Sequence, residues 1–441
     1  MPVSRTFAEE IATTTIDDIP PESVESIKRA TLDNLAITFF SYDIADRRFA
    51  ALGRSLGGPP QATIVGDGAR VGAGLAAGIN SQMASDSDFE EQGPGVHMFA
   101  PISAMALALG EMVGASGREV ITATALGYEL NTRVFDAATA TERVFSVYRG
   151  HPRRHLYFNT AVVAARMLGL DLETVERAIG LAWVTAMPPR MEVTFGLGNE
   201  NAYRVSPYLH ACQIGLQSVL LAAEAGGGLP GIIEATIGDE YRAEVMLDSA
   251  NRFLSVHDRL SMKPRVGSWG FQGGLELFAG IIESEQLAVD EVEAVVFRGP
   301  DIYVPFANPS PRTFWEAQGS IPLAFASILL DIPSGKAWVD PAGLGEPERA
   351  AIAARVSVAA HEDPEMNEVE VKARGRTIAR SIHRSRFHGS PLAPMSRDDC
   401  ERKFLDQAVP VVGPAKAREI VELLWNLEDV EDVTELAVRF S

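Results

Sequence analysis

Apolar residues recur at helical spacing from about Val24 to about Leu247. In "SVESIKRATLDNLAITFF" the positions Val24, Ile27, Ala30/Thr31, Leu35 and Ile37/Thr38 fall on one face, and Pro20 and Pro21 mark a start. The runs "PISAMALALGEMVG", "GREVITATALGYELNTRVF", "TAVVAARMLGL", "LETVERAIGLAWVTA" and "YLHACQIGLQSVLLAAEAG" follow, rich in Ala and Leu. Stretches so nearly apolar all round predict buried helices that pack on one another.

The period changes after Lys263. "VEAVVFRG", "RVSVAAH", "NEVEVKAR" and "RTIARSIH" are short, β-branched and partly alternating, and Gly375 separates the last two as in a hairpin. Helical stretches at about Trp269 to Glu283 and Ser320 to Leu330 interleave with them, so this part reads as α+β. "DPAGLGEPERA" and "HGSPLAPMS" read as loops by composition. From "SRDDCERKFLDQA" to "AKAREIVELLWNL" the helical period returns, and these last helices are expected to pack back on the first domain.

The predicted architecture is therefore mainly α plus α+β. Residues 1–262 form a large helical domain, completed by 394–441, and residues 263–393 form an inserted α+β domain. A chain of 441 residues exceeds what one hydrophobic core usually serves, which agrees with two domains.

Charge narrows the partners. With 59 acidic against 39 basic residues the formal net charge is −20, which repels a phosphate backbone, so no nucleic acid is expected. A small anionic substrate remains compatible, provided that a local cluster of cations receives it. Cys212 and Cys400 are the only cysteines, too few for a disulfide framework or a thiolate metal cluster within one chain. The N-terminal residues lack the apolar core of a signal peptide, and no uninterrupted apolar span of about 18 residues occurs. The expectation is a cytoplasmic protein with no membrane partner.

The densest chemistry lies in "DSDFEEQGPGVH", Asp86 to His97, where four carboxylates and a histidine surround a Gly-Pro-Gly. The loop has no calcium-binding ladder of spaced Asp/Asn with a terminal Glu, and the chain has no His-Glu-x-x-His, so no metal is expected. Gly72, Gly74 and Gly78 in "GAGLAAG" follow no strand of a βαβ unit and read as turns or close helix packing. Gly-x-Ser-x-Gly is absent, and Cys212 in its apolar helical pattern reads as structural.

Acid/base chemistry by separated side chains is what remains. "YRGHPRRH" offers His151, Arg153, Arg154 and His155, and "LSMKPRVGSWG" offers Lys263 and Arg265 where the helical half gives way to the α+β half. With Asp88 and His97 these supply carboxylate, imidazole, ammonium and guanidinium, a set able to move a proton beside a carboxylate while cations hold the developing enolate charge. Each also has a plainer reading. A histidine before a proline is commonly a surface residue, His210 on an apolar helical face reads as a core histidine, and His257, His361, His383 and His388 read as solvated. Glu90 and Glu91 read as exposed charges.

The string "LGGPPQATIVGDGARVGAGLAAGINSQMASDSDFEE" resembles the signature of the MmgE/PrpD family, the 2-methylcitrate dehydratase and cis-aconitate decarboxylase group. There an Ala-Ala-x-x-Asn run leads into a Leu-Asp-Phe-Asp-Asp type loop ending at His-Pro. "ATLDNLAITFFSYD", "GREVITATALGYELNTRVF", "GHP" followed by "AARMLGLD", "KP" at Lys263, "EAQGSIPLAFA" and "APMSRDDCERKF" match in the family's order over nearly the whole chain. The resemblance implies a helical domain with an α+β lid, a homodimer, and cofactor-free chemistry on small di- or tricarboxylates. By position it implies that Asp88, His97, His151 and Lys263 line the cleft and serve proton transfer and carboxylate binding.

Several positions depart from the family pattern. Gln92 stands where threonine is usual, Met98 where proline follows the histidine, Arg204 for a lysine, and Leu323 for a tyrosine. After Lys-Pro this chain has "RVGSWGFQ", with Ser268, Trp269 and Gln272 in place of cysteine, arginine and histidine. Gln92, Arg153, Arg154, Arg204, Ser268 and Gln272 are accordingly the candidate substrate-binding residues.

The function expected is a cofactor-independent lyase, a dehydratase or decarboxylase of a small carboxylate-bearing substrate. Two alternatives stand beside it. One is an epimerase or isomerase of a small dicarboxylate using the same carbanion chemistry, and the other a catalytically altered biosynthetic accessory protein.

Overall fold

The computed structural model describes residues 2–45, 47–94, 97–139, 154–185, 207–238 and 241–441. Helix α1 (Val3–Thr13) is followed by α2 (Pro21–Ile44), α3 (Arg48–Leu56), α4 (Ala73–Ser85), α5 (Phe99–Val113), α6 (Gly117–Thr139), α7 (Arg154–Met167), α8 (Leu172–Thr185) and α9 (Tyr208–Ala225). Pro21 at the first position of α2 supplies the expected start, since its missing N–H is one that a helix end leaves unbonded anyway. From Ala30 to Tyr42, however, α2 is buried all round rather than on one face, Asp33 and Asn34 included. The helix is enclosed by its neighbours, and its polar residues serve partners inside the core.

Helix α4 is buried along its whole length and packs on α5, α9 and α2. Its small residues permit this. A Cβ on Gly78 would stand 2.8 Å from the Leu209 carbonyl oxygen, and one on Gly74 would stand 3.0 Å from Leu216. The glycine-rich run is therefore a helix-packing surface, as its context in the sequence predicts. A two-residue antiparallel pair, β1 (Ala62–Thr63) with β2 (Arg70–Val71), precedes α4 and was not signalled by the pattern.

The second half holds α10 (Gln272–Glu285), β3 (Val292–Gly299), α11 (Phe314–Gln318), α12 (Ile321–Leu329), β4 (Val356–Ala360), β5 (Met366–Ala373) and β6 (Arg376–His383). The four strands form one mixed sheet in the order β4-β3-β5-β6, with β3 and β4 parallel and the other pairs antiparallel. β5 and β6 are joined by Arg374 and Gly375, with φ of 51° and 68°. Positive φ at both turn residues gives the tight hairpin that the strand twist favours. Alternate residues Asn367, Val369, Val371 and Ala373 of β5 are buried. Phe297 of β3 and Phe278 of α10 meet Phe325 of α12, with ring centroids 6.0 and 4.8 Å apart. The segment "DPAGLGEPERA", expected as a loop, runs into a helix over Pro347–Ala353, which Pro347 opens at its first position.

The chain ends in α13 (Arg397–Val412) and α14 (Pro414–Trp425). Helix α13 packs on α2: Phe404 meets Phe39 edge-on, and Lys403 Nζ lies 2.6 Å from Asp33 Oδ1. None of the described helices is long and apolar enough to cross a membrane.

Candidate active site

The acidic loop leaves the C-terminal end of α4 and runs to α5. Asp88 takes φ of 46°, a left-handed conformation that Asp tolerates better than most residues. Its carbonyl accepts the Gly267 N–H at 3.2 Å, and Gln92 pairs through its backbone with Ser261 in an antiparallel bridge (2.8 and 2.9 Å). Extending that register by two residues sets Glu90 opposite Lys263. The loop and the Leu260–Gly267 segment, far apart in sequence, thus lie side by side.

The side chains close the arrangement. Lys263 Nζ is 2.5 Å from Asp88 Oδ1 and 3.9 Å from Glu90 Oε2, and Lys263 has no exposed surface. His97 Nε2 lies 3.8 Å from Asp88 Oδ1, while Nδ1 lies 2.7 Å from the Glu91 carbonyl oxygen and 3.2 Å from Glu90 Oε1. A carbonyl oxygen can only accept, so Nδ1 carries the proton in the neutral ring and Nε2 is left as the basic atom. His97 is also the member that meets solvent, with about a quarter (24%) of its side chain exposed.

Glu90 and Glu91 are not exposed charges. They are 1% and 0% accessible, because the loop is pressed between α2, α5 and the Lys263 segment. Glu91 accepts from Asn34 Nδ2 at 2.9 Å and from the Phe99 N–H at 2.8 Å, which ties the loop to α2 and to the start of α5. Burial, together with the Glu90 charge beside it, pushes the Glu91 carboxyl up to about 8. The α+β half grips the same loop, since Gln318 Nε2 donates to the Asp86 carbonyl (3.1 Å).

Asp88, Glu90 and His97 each bring a donor atom within 4.8 Å of the others, a spacing that a metal ion could span. The ammonium of Lys263 already meets both carboxylates, so their positive partner is a residue of the chain.

Other candidates fall differently. His151, Arg153 and Arg204 lie outside the described residues, and Arg154 is described only as the first residue of α7. Gln92 is half-buried, and its Nε2 donates to the Gly93 carbonyl. Gln272 does not face the cluster: it is 1% accessible, and its Nε2 donates to the carbonyls of Arg265 and Gly267, bracing the loop after Lys263. Arg265 opens into a separate cleft. Leu323 is a core residue at 2% accessibility. His210, expected in the core, is exposed, because α9 turns that face outward, whereas Cys212 is buried and its thiol is pushed up to about 12 by burial.

Tyr303 was not foreseen. It is half-buried in the turn after β3, and its hydroxyl lies 3.2 Å from Ser268 Oγ, one residue beyond the Gly267 N–H that bonds Asp88. Burial raises its phenol above the usual range, and the charge of Asp88 adds to the rise. No periodicity marks a lone tyrosine in "GPDIYVPFANP"; only the fold brings it to Ser268.

Comparison with known families decides the affiliation. The MmgE/PrpD N-terminal domain matches residues 5–245, and the MmgE/PrpD C-terminal domain matches residues 270–429. The chain belongs to the MmgE/PrpD family. Membership suggests activity of the dehydratase or lyase type. Among curated proteins, none matches the chain. Asp88, Glu90, Glu91 and His97 lie within the N-terminal match, and Lys263 and Ser268 fall in the interval between the two matches.

Proposed function

We propose that this MmgE/PrpD protein is a cofactor-independent lyase that dehydrates or decarboxylates a small carboxylate-bearing substrate by moving a proton alpha to a carboxylate. The observation that carries the reading is the enclosed Asp88–Lys263 pair set against a partly open imidazole of defined tautomer. His97 Nε2 is the proton-transferring atom, since Nδ1 is held by the Glu91 carbonyl. Lys263 has no exposed surface, so it acts through Asp88, holding that carboxylate in place.

The protonated phenol of Tyr303 and the hydroxyl of Ser268 are suited to donate toward a leaving hydroxyl or a carboxylate oxygen. His151, Arg153, Arg154 and Arg204 are proposed, from the sequence, as further acid/base and anion-binding groups. Neutral Glu91 below about pH 8 spares an anionic substrate one negative charge beside His97.

The test is incubation with candidate di- and tricarboxylates in deuterated water. Loss of water or carbon dioxide, lowered about 10²- to 10⁴-fold by His97→Gln, is the expected result. Alpha-deuterium exchange with no such loss would favour an epimerase and sink the lyase reading. Turnover undiminished in His97→Gln would remove this imidazole from the chemistry.

A further inference from the structure

A second cleft, of about 420 Å³, lies beside Pro264 and Arg265 and shares neither Asp88, Glu90, His97 nor Lys263 with the candidate active site. That volume suits a small ligand rather than a macromolecular segment. Its lining is strongly charged, and nearly every charge is already answered. Lys403 is paired with Asp33 at 2.6 Å and also donates to the carbonyls of Phe89 and Lys263. Arg402 and His388 both meet Asp399. Glu276 accepts the backbone N–H of His388 at 2.7 Å.

Apart from Asp406, an acid that likewise forms no hydrogen bond or ion pair among the described residues, Arg265 is the exception. Its backbone carbonyl accepts from Gln272, but its guanidinium forms no hydrogen bond or ion pair among the described residues. Glu276 is the acid whose charge it feels, at a distance too long for a salt bridge. Burial disfavours the charged form of this side chain, and the more distant Glu276 charge offsets that cost only in part. Arg265 nevertheless lines the cleft and is only half-buried, so a ligand can reach it. A planar five-donor fork without a partner, in a polar concavity, is a receptor for carboxylate or phosphate oxygens.

We propose that this cleft binds a small carboxylate or phosphate anion, anchored by the Arg265 guanidinium. The site is distinct from the catalytic cluster yet joined to it. Arg265 is two residues from Lys263, and Lys403, which lines the cleft, holds the Lys263 carbonyl at 2.8 Å.

Calorimetric titration with citrate and, separately, with inorganic phosphate tests it on the full chain, the His97→Ala variant and the Arg265→Gln variant. Saturable binding that persists in His97→Ala and weakens about tenfold or more in Arg265→Gln is expected. Citrate alone would identify a carboxylate site and phosphate alone a phosphate site, and either supports the proposal. Binding lost in His97→Ala but intact in Arg265→Gln would place the anion at the catalytic cluster and overturn it, as would no saturable binding of either anion. Should Arg265→Gln fail to fold, Glu276→Gln carries the test. Removing the carboxylate that Arg265 feels should tighten binding severalfold, and an unchanged or weaker affinity overturns the proposal.

Discussion

The acidic loop and the β3-β5-β6 face of the sheet are both built from opposite charges in contact, and they do different work. On the sheet, Arg298 meets Glu368 at 2.6 Å with both side chains about 30% exposed (31% and 29%), and Lys372 meets Glu293 at 2.9 Å with both more open still. In the loop, Lys263 meets Asp88 at 2.5 Å with 0% and 3% exposure. The distances are alike and the dielectric is not. Water screens the sheet pairs and solvates either partner when the other leaves, whereas each loop charge depends on the protein for its solvation. A surface pair is therefore nearly dispensable, and the loop holds its charges in one arrangement.

Lys263→Met breaks the comparison most severely, because it strands Asp88 and Glu90 without their ammonium. Denaturant unfolding should show a loss of about 3–5 kcal/mol, and a loss below 1 kcal/mol would mean that the carboxylates find another partner or protonate at no cost.

Glu91→Gln comes next and is read against pH. The folded-state value near 8 lies above the ordinary 4.5, so folding favours the protonated form. The stability contributed by this group is fully present below about pH 4.5 and is lost as pH rises through 8. A protonated Glu91 needs an acceptor, and Asn34 Oδ1, buried and without a hydrogen bond among the described residues, supplies one when its amide turns over. Glutamine cannot ionise, so the variant should lack that slope and gain on the natural chain by on the order of a few kcal/mol between pH 5 and 8. Parallel pH profiles of the two melting temperatures would show that Glu91 does not titrate there.

Tyr303→Phe sharpens the comparison inside the site by removing one hydroxyl and little volume. Turnover should fall by about ten- to a hundredfold with the fold intact, and an unchanged kcat would leave Tyr303 a packing residue. The smallest effect is expected from Arg298→Gln on the sheet, about 1 kcal/mol or less in unfolding free energy. A larger loss would show that the exposed pairs act as a network.

Much of the fold was legible because it rests on local pattern. The helical first half, the β5–β6 hairpin at Gly375 and the close packing through Gly74 and Gly78 follow from periodicity and residue size. Of the site, Asp88, His97 and Lys263 were indicated by motif position, and the structure brings these three together. Glu90 and Glu91 were misjudged because carboxylates are usually solvated, and no local feature shows that α2, α5 and the Lys263 segment will enclose them. Gln272 was expected at the substrate and instead braces the backbone, and Tyr303 had no signal at all.

By itself the sequence determined the order and type of the elements, the acidic balance of the chain, and which loops carry groups able to transfer protons. Those properties depend on neighbours a few residues apart. Only the tertiary structure decided which charges lose their water. Burial and pairing join residues 175 positions apart, as with Asp88 and Lys263, and the same proximity moves Glu91 toward 8, leaves the Arg265 guanidinium without a hydrogen bond among the described residues and sets His97 Nε2 as the basic atom.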